Sequence, residues 1–134
     1  MGKKRQYFEK NINFLKEMAA MEGVKALQGG VLYEVISRGE GGRHPELRDV
    51  VSIYYQGSLI DGKVFDDNTA QGFPDAFRLR ELIEGWQIAL PRMSVGDKWR
   101  IYVPSERGYG AFGAPPDIPG YSTLIFEIEL VAIA

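Results

Sequence analysis

Apolar residues recur at spacings of four, three and four through Phe8, Ile12, Leu15 and Ala19, the period of one helical face. That spacing predicts a helix over residues 1–21, with Gly23 as its stop. Tyr7, Phe14, Met18 and Met21 form a second apolar line beside the first. Together the lines make a stripe broader than a lone surface helix can leave in water. The stripe must dock, either on the chain's own domain or on the same helix of a second copy.

Beyond Gly29 and Gly30 the period changes from helical to strand-like, which divides an N-terminal helical segment, residues 1–28, from a main domain, residues 29–134. Leu32 to Ile36 reads as a short strand, and the glycine-rich Arg38 to Pro45 as a solvated loop. In Asp49 to Leu59 the alternation of Val51, Ile53 and Tyr55 predicts a long strand, and Asp61-Gly62 predicts a tight hairpin into Val64-Phe65. Thr69 to Pro74 has loop composition. A helix of about two turns follows, with Leu82, Trp86, Ala89 and Leu90 on one face and Pro91 as its stop. Trp99, Ile101 and Val103 alternate with Lys98, Arg100 and Tyr102; Leu124, Phe126, Ile128 and Leu130 alternate with Glu127 and Glu129. Antiparallel strands with one short amphipathic helix to cover a sheet face define an α+β class: a twisted antiparallel sheet wrapped around one short helix and preceded by an N-terminal helix.

Composition narrows the chemistry. A chain of 134 residues, 45% hydrophobic and 25% charged, falls in the range of one globular domain. Sixteen basic and eighteen acidic residues leave a net charge of -2 with no long block of one sign, which disfavours nucleic acid and membrane partners. No apolar run approaches the roughly 18 residues of a membrane span, and the charged N-terminus lacks a signal-peptide core. The expected location is the cytoplasm, or the periplasm if a leader has been removed.

The absence of cysteine excludes disulfides and thiolate chemistry. The single histidine, His44, has no second ligand at helical spacing, so neither a metal nor a Ser-His-Asp triad is expected, and no cofactor is implied. Gly57 to Lys63 has the spacing of a phosphate-binding loop, but Val64 supplies no hydroxyl and the hairpin explains the same residues.

What stands out is a set of rings drawn from almost every element: Tyr55, Phe65, Phe77, Trp86, Trp99, Tyr109 and Phe126. Most suit a core. Tyr109 does not, because it lies between glycines in Arg107-Gly-Tyr-Gly110, where a large ring is more often presented than buried. The segments Tyr55-Gln-Gly, Gly62-Lys-Val-Phe-Asp66, Leu82-Ile-Glu-Gly-Trp86, Met93-Ser-Val-Gly96, Tyr109-Gly-Ala-Phe-Gly113, Ile118-Pro119 and Thr123-Leu-Ile-Phe126 fall in an order that resembles the FKBP-type peptidyl-prolyl cis/trans isomerases, over roughly Val31 to the C-terminus. The helix ahead of them, followed by Glu22-Gly-Val, looks like the end of the N-terminal dimerisation segment of the bacterial branch that includes macrophage infectivity potentiator-like proteins, here much shorter.

That resemblance implies an FKBP-like roll acting as a rotamase in protein folding, without metal or cofactor. Its pocket would have Trp86 as floor, Tyr55, Phe65 and Phe126 as walls, and Leu82 and Ile118 on the rim, with Phe77 among the substrate-binding residues. The Ile83 amide and the Tyr109 hydroxyl would donate to substrate carbonyls, and Asp66 would be a buried carboxylate orienting Tyr55. Tyr55, Asp66 and Tyr109 are thus the implied catalytic residues. The implied partners are proline-containing polypeptides and macrolide-type inhibitors, with a homodimer through the N-terminal helix as a further expectation. The chain departs from the family pattern at three places. Asp75 replaces the first of two phenylalanines of which Phe77 is the second, with Phe73 near enough to substitute; Ala114 replaces a common histidine, and Asp117 a common apolar residue. Those departures keep a second function open: a proline-segment binding module or chaperone with weak or no turnover.

Overall fold

In the computed structural model, which describes residues 2–134, α1 runs from Lys3 to Ala19 and α2 from Glu84 to Ala89. Seven strands make one sheet: β1 (Lys25–Ala26), β2 (Leu32–Ser37), β3 (Val50–Ser58), β4 (Val64–Asp67), β5 (Asp75–Arg78), β6 (Lys98–Val103) and β7 (Leu124–Ile133). Their order is β1-β2-β6-β7-β3-β4, with β5 also on β3, and every strand pair is antiparallel. The expected α+β roll is the observed fold. The sheet starts at β1, a few residues ahead of Gly29, and Leu27 packs against the core.

Alternation puts Val51, Ile53 and Tyr55 of β3, Trp99, Ile101 and Val103 of β6, and Leu124, Phe126, Ile128 and Leu130 of β7 into the same core as Trp86, Ala89 and Leu90. Each fully buried aliphatic side chain contributes about 1.5–3 kcal/mol. A six-residue helix is too short to persist alone, so this core holds α2. Beyond α2, Pro91 lies in a 3-10 turn, Leu90–Arg92, rather than immediately outside the helix.

On the opposite face, Arg100 pairs with Glu34 and Glu127, and the Tyr102 hydroxyl donates to Glu34 at 2.7 Å. Tyr102, an outward position by alternation, is only 4% exposed, because α1 covers it and Phe14 packs 6.1 Å from its ring. The docked face of α1 is Tyr7, Ile12, Phe14, Leu15 and Met18 around Asn11, a line that runs through a polar residue. Phe8 and Ala19, from the first predicted line, are exposed. Both predicted lines contribute to the docked face, but counting apolar residues alone leaves out its one buried residue, Asn11.

Strand β5 is not evident in the sequence, where Asp75-Ala-Phe-Arg carries a single strand-favouring ring. It forms because β3 is long enough to be shared: Gln56 to Ser58 pair with β4 and Val50 to Ile53 with β5. Asn68 fills the gap between the two partners. Its Oδ1 accepts the Tyr55 amide at 2.7 Å, its Nδ2 donates to the Ile53 carbonyl at 3.1 Å and to Asp75 at 3.0 Å, and its own amide donates to the Tyr55 carbonyl.

Candidate active site

The site is built on α2. Gly85 lets the helix lie close against β6, since a Cβ there would stand 2.5 Å from Val103 Cγ1. The neighbouring Trp86 is thereby sunk into the concave face of the sheet, 4% exposed, as the floor of a cavity of about 230 Å³. Tyr55 from β3 meets Trp86 edge-on, with centroids 5.1 Å apart at 79°; Phe126 from β7 does the same at 4.9 Å and 85°. Phe77 from β5 stands farther off, 6.5 Å from Trp86 and 6.3 Å from Tyr55. Phe65 from β4 leans edge-on against Phe126 at 5.7 Å. Edge-to-face contacts match the positive rim of one ring to the negative face of the next, which fixes the walls without filling the cup.

Leu82, Ile83, Asp66 and Tyr109 complete the lining. Nine of the ten residues singled out in the sequence therefore converge on one cavity. The tenth, Ile118, does not reach it. It is 5% exposed, belongs to the core and pairs backbone to backbone with Ala114, bracing the loop from within. Phe73 is 61% exposed and stays outside the lining, so it leaves the place of the missing phenylalanine unfilled; Asp75 there is engaged with Asn68. Asp66 is a second correction. Its residue is exposed rather than buried, because β4 is a four-residue strand at the sheet edge whose side chains are largely solvent-facing.

The polar groups have distinct jobs. The Tyr55 hydroxyl donates to Asp66 Oδ2 at 2.5 Å. Burial, the hydrogen bond to Asp66 and the Asp66 charge hold this phenol well above its ordinary range. Burial first, and then the Asp66 charge, also raises Tyr109. Both hydroxyls keep their protons at neutral pH. Tyr109, 42% exposed at the mouth, finds no acceptor for its hydroxyl among the described residues, and neither does the amide of Ile83, which precedes the first turn of α2. Two free donors thus face an apolar cup at its rim. Arg107 steadies the Tyr109 loop by donating to Glu84 at 2.8 Å and to the Gly29 carbonyl. Among the described residues, no three His, Asp or Glu side chains converge to hold a metal ion.

Sequence reasoning missed Asn68, and it named Gly57 without its role in spacing the walls. A Cβ on Gly57 would fall 2.6 Å from Phe65 Cζ and 2.8 Å from Phe126 Cε1, so this glycine makes room for two walls at once. Its signal was a lone glycine inside a strand pattern, which often marks close approach. Asn68 offered no signal beyond its position after a strand.

A small aromatic cup with two rim donors thus opens on an α+β roll. Residues 41–131 match the family model described as FKBP-type peptidyl-prolyl cis-trans isomerase, and the chain belongs to that family. It is 42% identical over 134 residues to the FKBP-type 22 kDa peptidyl-prolyl cis-trans isomerase of Escherichia coli, covering 97% of this chain and 65% of that protein. It is also 42% identical over 125 residues to the peptidyl-prolyl cis-trans isomerase Mip of Coxiella burnetii, covering 93% of this chain and 54% of that one. The chain thus spans between about half and two thirds of the length of these relatives. The crystal structure of a peptidyl-prolyl cis-trans isomerase from Pseudomonas syringae pv. tomato superposes with a TM-score of 0.91 at 37% identity, covering 100% of this chain and 98% of that one. FkpA of Escherichia coli gives 0.89 at 36% identity, covering 96% of this chain and 60% of that one.

Proposed function

We propose that this chain accelerates cis/trans isomerisation of Xaa-Pro bonds in polypeptide clients. The observation that carries this reading is the cup over Trp86, about 230 Å³, with the Tyr109 hydroxyl and the Ile83 amide free at its mouth. That volume is below the roughly 300–1,000 Å³ of drug-sized ligand sites and suits one side chain. Rotation about the amide must break its resonance, a barrier of about 18–20 kcal/mol. The twisted amide is less dipolar than the planar one, so an apolar cup favours it over the ground state relative to water. With proline on Trp86, Ile83 and Tyr109 hold carbonyls on either side and keep the peptide still while one bond turns. About 4 kcal/mol of such preference accelerates rotation about a thousandfold. Macrolide-type inhibitors would compete for the same floor.

Exchange measurements by NMR on a short Leu-Pro or Phe-Pro peptide test the reading. Faster cis/trans exchange at micromolar protein is the expected result, and no acceleration rejects it. Peptide binding without acceleration would instead favour a proline-segment binding module or chaperone, the reading motivated by Asp75 and by the exposed Asp117.

A further inference from the structure

Helix α1 buries one residue, and that residue is polar. Asn11 is 2% exposed; its Oδ1 accepts the Thr123 amide at 2.8 Å and its Nδ2 donates to the Tyr7 carbonyl at 2.8 Å. Thr123 lies just before β7, where no neighbouring strand supplies an acceptor for its amide. A second bond joins the same two segments. The Ser122 hydroxyl donates to the Pro119 carbonyl at 2.6 Å, which leaves the Tyr7 hydroxyl as donor in its 2.8 Å bond to Ser122 Oγ. Phe8 adds an edge-on contact to Tyr121, with centroids 5.2 Å apart.

All three contacts fall on Tyr121 to Thr123, the return limb of the loop that presents Tyr109. Tyr121 occupies the left-handed region at φ 65°, unusual for a bulky residue and held only where surroundings over-determine it. From that position its amide donates to the Gly110 carbonyl at 2.9 Å, one residue from Tyr109. Helix, return limb and Tyr109 are therefore linked by consecutive hydrogen bonds: Asn11 to Thr123, and Tyr121 to Gly110.

Given the isomerase reading, we propose that Asn11 is a positioning residue for Tyr109, and that α1 acts as a strut fixing the height of the Tyr109 hydroxyl over the cup. Without the Asn11 acceptor, the buried Thr123 amide must turn toward water, and the return limb turns with it. Tyr109 then loses its fixed distance from a peptide seated on Trp86. The helix would serve catalysis without touching substrate.

A double-mutant cycle on the full chain tests this, with kcat/KM for a Leu-Pro peptide measured for Asn11→Ala in the wild-type and in the Tyr109→Phe backgrounds. The expected result is a loss of about threefold or more in the wild-type background and almost none in Tyr109→Phe, since displacing a group that no longer donates costs nothing. Amide resonances of Tyr109 and Gly110 should shift or broaden in Asn11→Ala. Equal losses in both backgrounds, or a folded Asn11→Ala with unaltered rate and unaltered Tyr109 and Gly110 resonances, overturn the strut. Should Asn11→Ala fail to fold, Tyr7→Phe carries the same cycle through the Ser122 bond. A wild-type chain without isomerase activity would refute the activity alone, because the resonances still report whether α1 holds the loop.

Discussion

The Tyr55 hydroxyl donates to Asp66 at 2.5 Å, and with that bond made the phenol has no proton left for a peptide carbonyl. Tyr55 is therefore wall and anchor, while Tyr109 is the free hydroxyl donor at the mouth. Asp66→Ala leaves the Tyr55 hydroxyl, on a side chain 8% exposed, without its acceptor. The expected cost is about 1–3 kcal/mol of stability. A roughly tenfold fall in kcat/KM should accompany it if about 1.4 kcal/mol of the lost order is expressed in the transition state. Tyr55→Phe should cost less stability, because the Asp66 it leaves behind already faces solvent. Denaturant unfolding and peptide exchange measure both, and an Asp66→Ala variant with the wild-type rate contradicts the assignment.

Trp86 gives the site its own optical reporter. The chain has two tryptophans, one on the cavity floor and the other, Trp99, stacked on Tyr33 at 4.2 Å away from the cavity lining. A proline peptide or macrolide-type ligand seated on Trp86 should alter tryptophan emission in the wild type and in Trp99→Phe, and leave it unchanged in Trp86→Phe. Trp86→Phe should still fold: the indole Nε1 makes no hydrogen bond among the described residues, so the change removes packing and no polar partner. A loss of about 1–2 kcal/mol is expected, below the roughly 3–5 of a Trp→Ala truncation. Ligand-dependent emission surviving in a folded Trp86→Phe would move the site elsewhere.

How far the residues themselves disclosed this arrangement depends on the kind of interaction. Period-two burial marked β3, β6 and β7 because their inner faces are continuous, and the α2 face was readable for the same reason. The convergence of Tyr55, Phe65, Phe77, Trp86 and Phe126 came from a family resemblance, since rings spread from Tyr55 to Phe126 carry no spacing signal of their own. What escaped was polar. Asn11 and Asn68 each stand in for a missing backbone acceptor, and patterns of apolar residues read such positions as solvent-facing. Ile118 stands in the core and not on the rim, because its backbone, not its side chain, serves the loop.

Gly57 sets the width of the cup. Gly57→Ala would place a methyl group within 2.6 Å of Phe65 and 2.8 Å of Phe126, and both rings can yield only toward the cavity or by displacing β4. Overpacking of this kind costs about 1–3 kcal/mol. The expected signature is a raised KM with a smaller change in kcat, since the cup narrows while Tyr109 and Ile83 stay in place. Steady-state isomerisation kinetics separate the two, and an unchanged KM would show that the walls relax outward.

The phenols set the alkaline behaviour. Burial is the main cause raising Tyr55, Tyr102 and Tyr109, with Asp66 adding to the first and last and Glu34 to Tyr102. A raised folded value means that the folded chain holds these protons more tightly than the unfolded chain, whose phenols titrate near about 10. Their contribution to stability is whole below that pH and is lost as pH rises through the higher folded values. Three of the seven tyrosines should accordingly lag in tyrosinate absorbance when the native protein is taken past pH ~10, and denaturant should abolish the lag. The same sign keeps the Tyr109 hydroxyl a donor, so the ratio of wild-type to Tyr109→Phe kcat/KM should hold constant from pH ~6 to ~9.5. A ratio that collapses with a midpoint near pH ~9 would require a phenol titrating below its ordinary value, opposite to what burial beside Asp66 imposes.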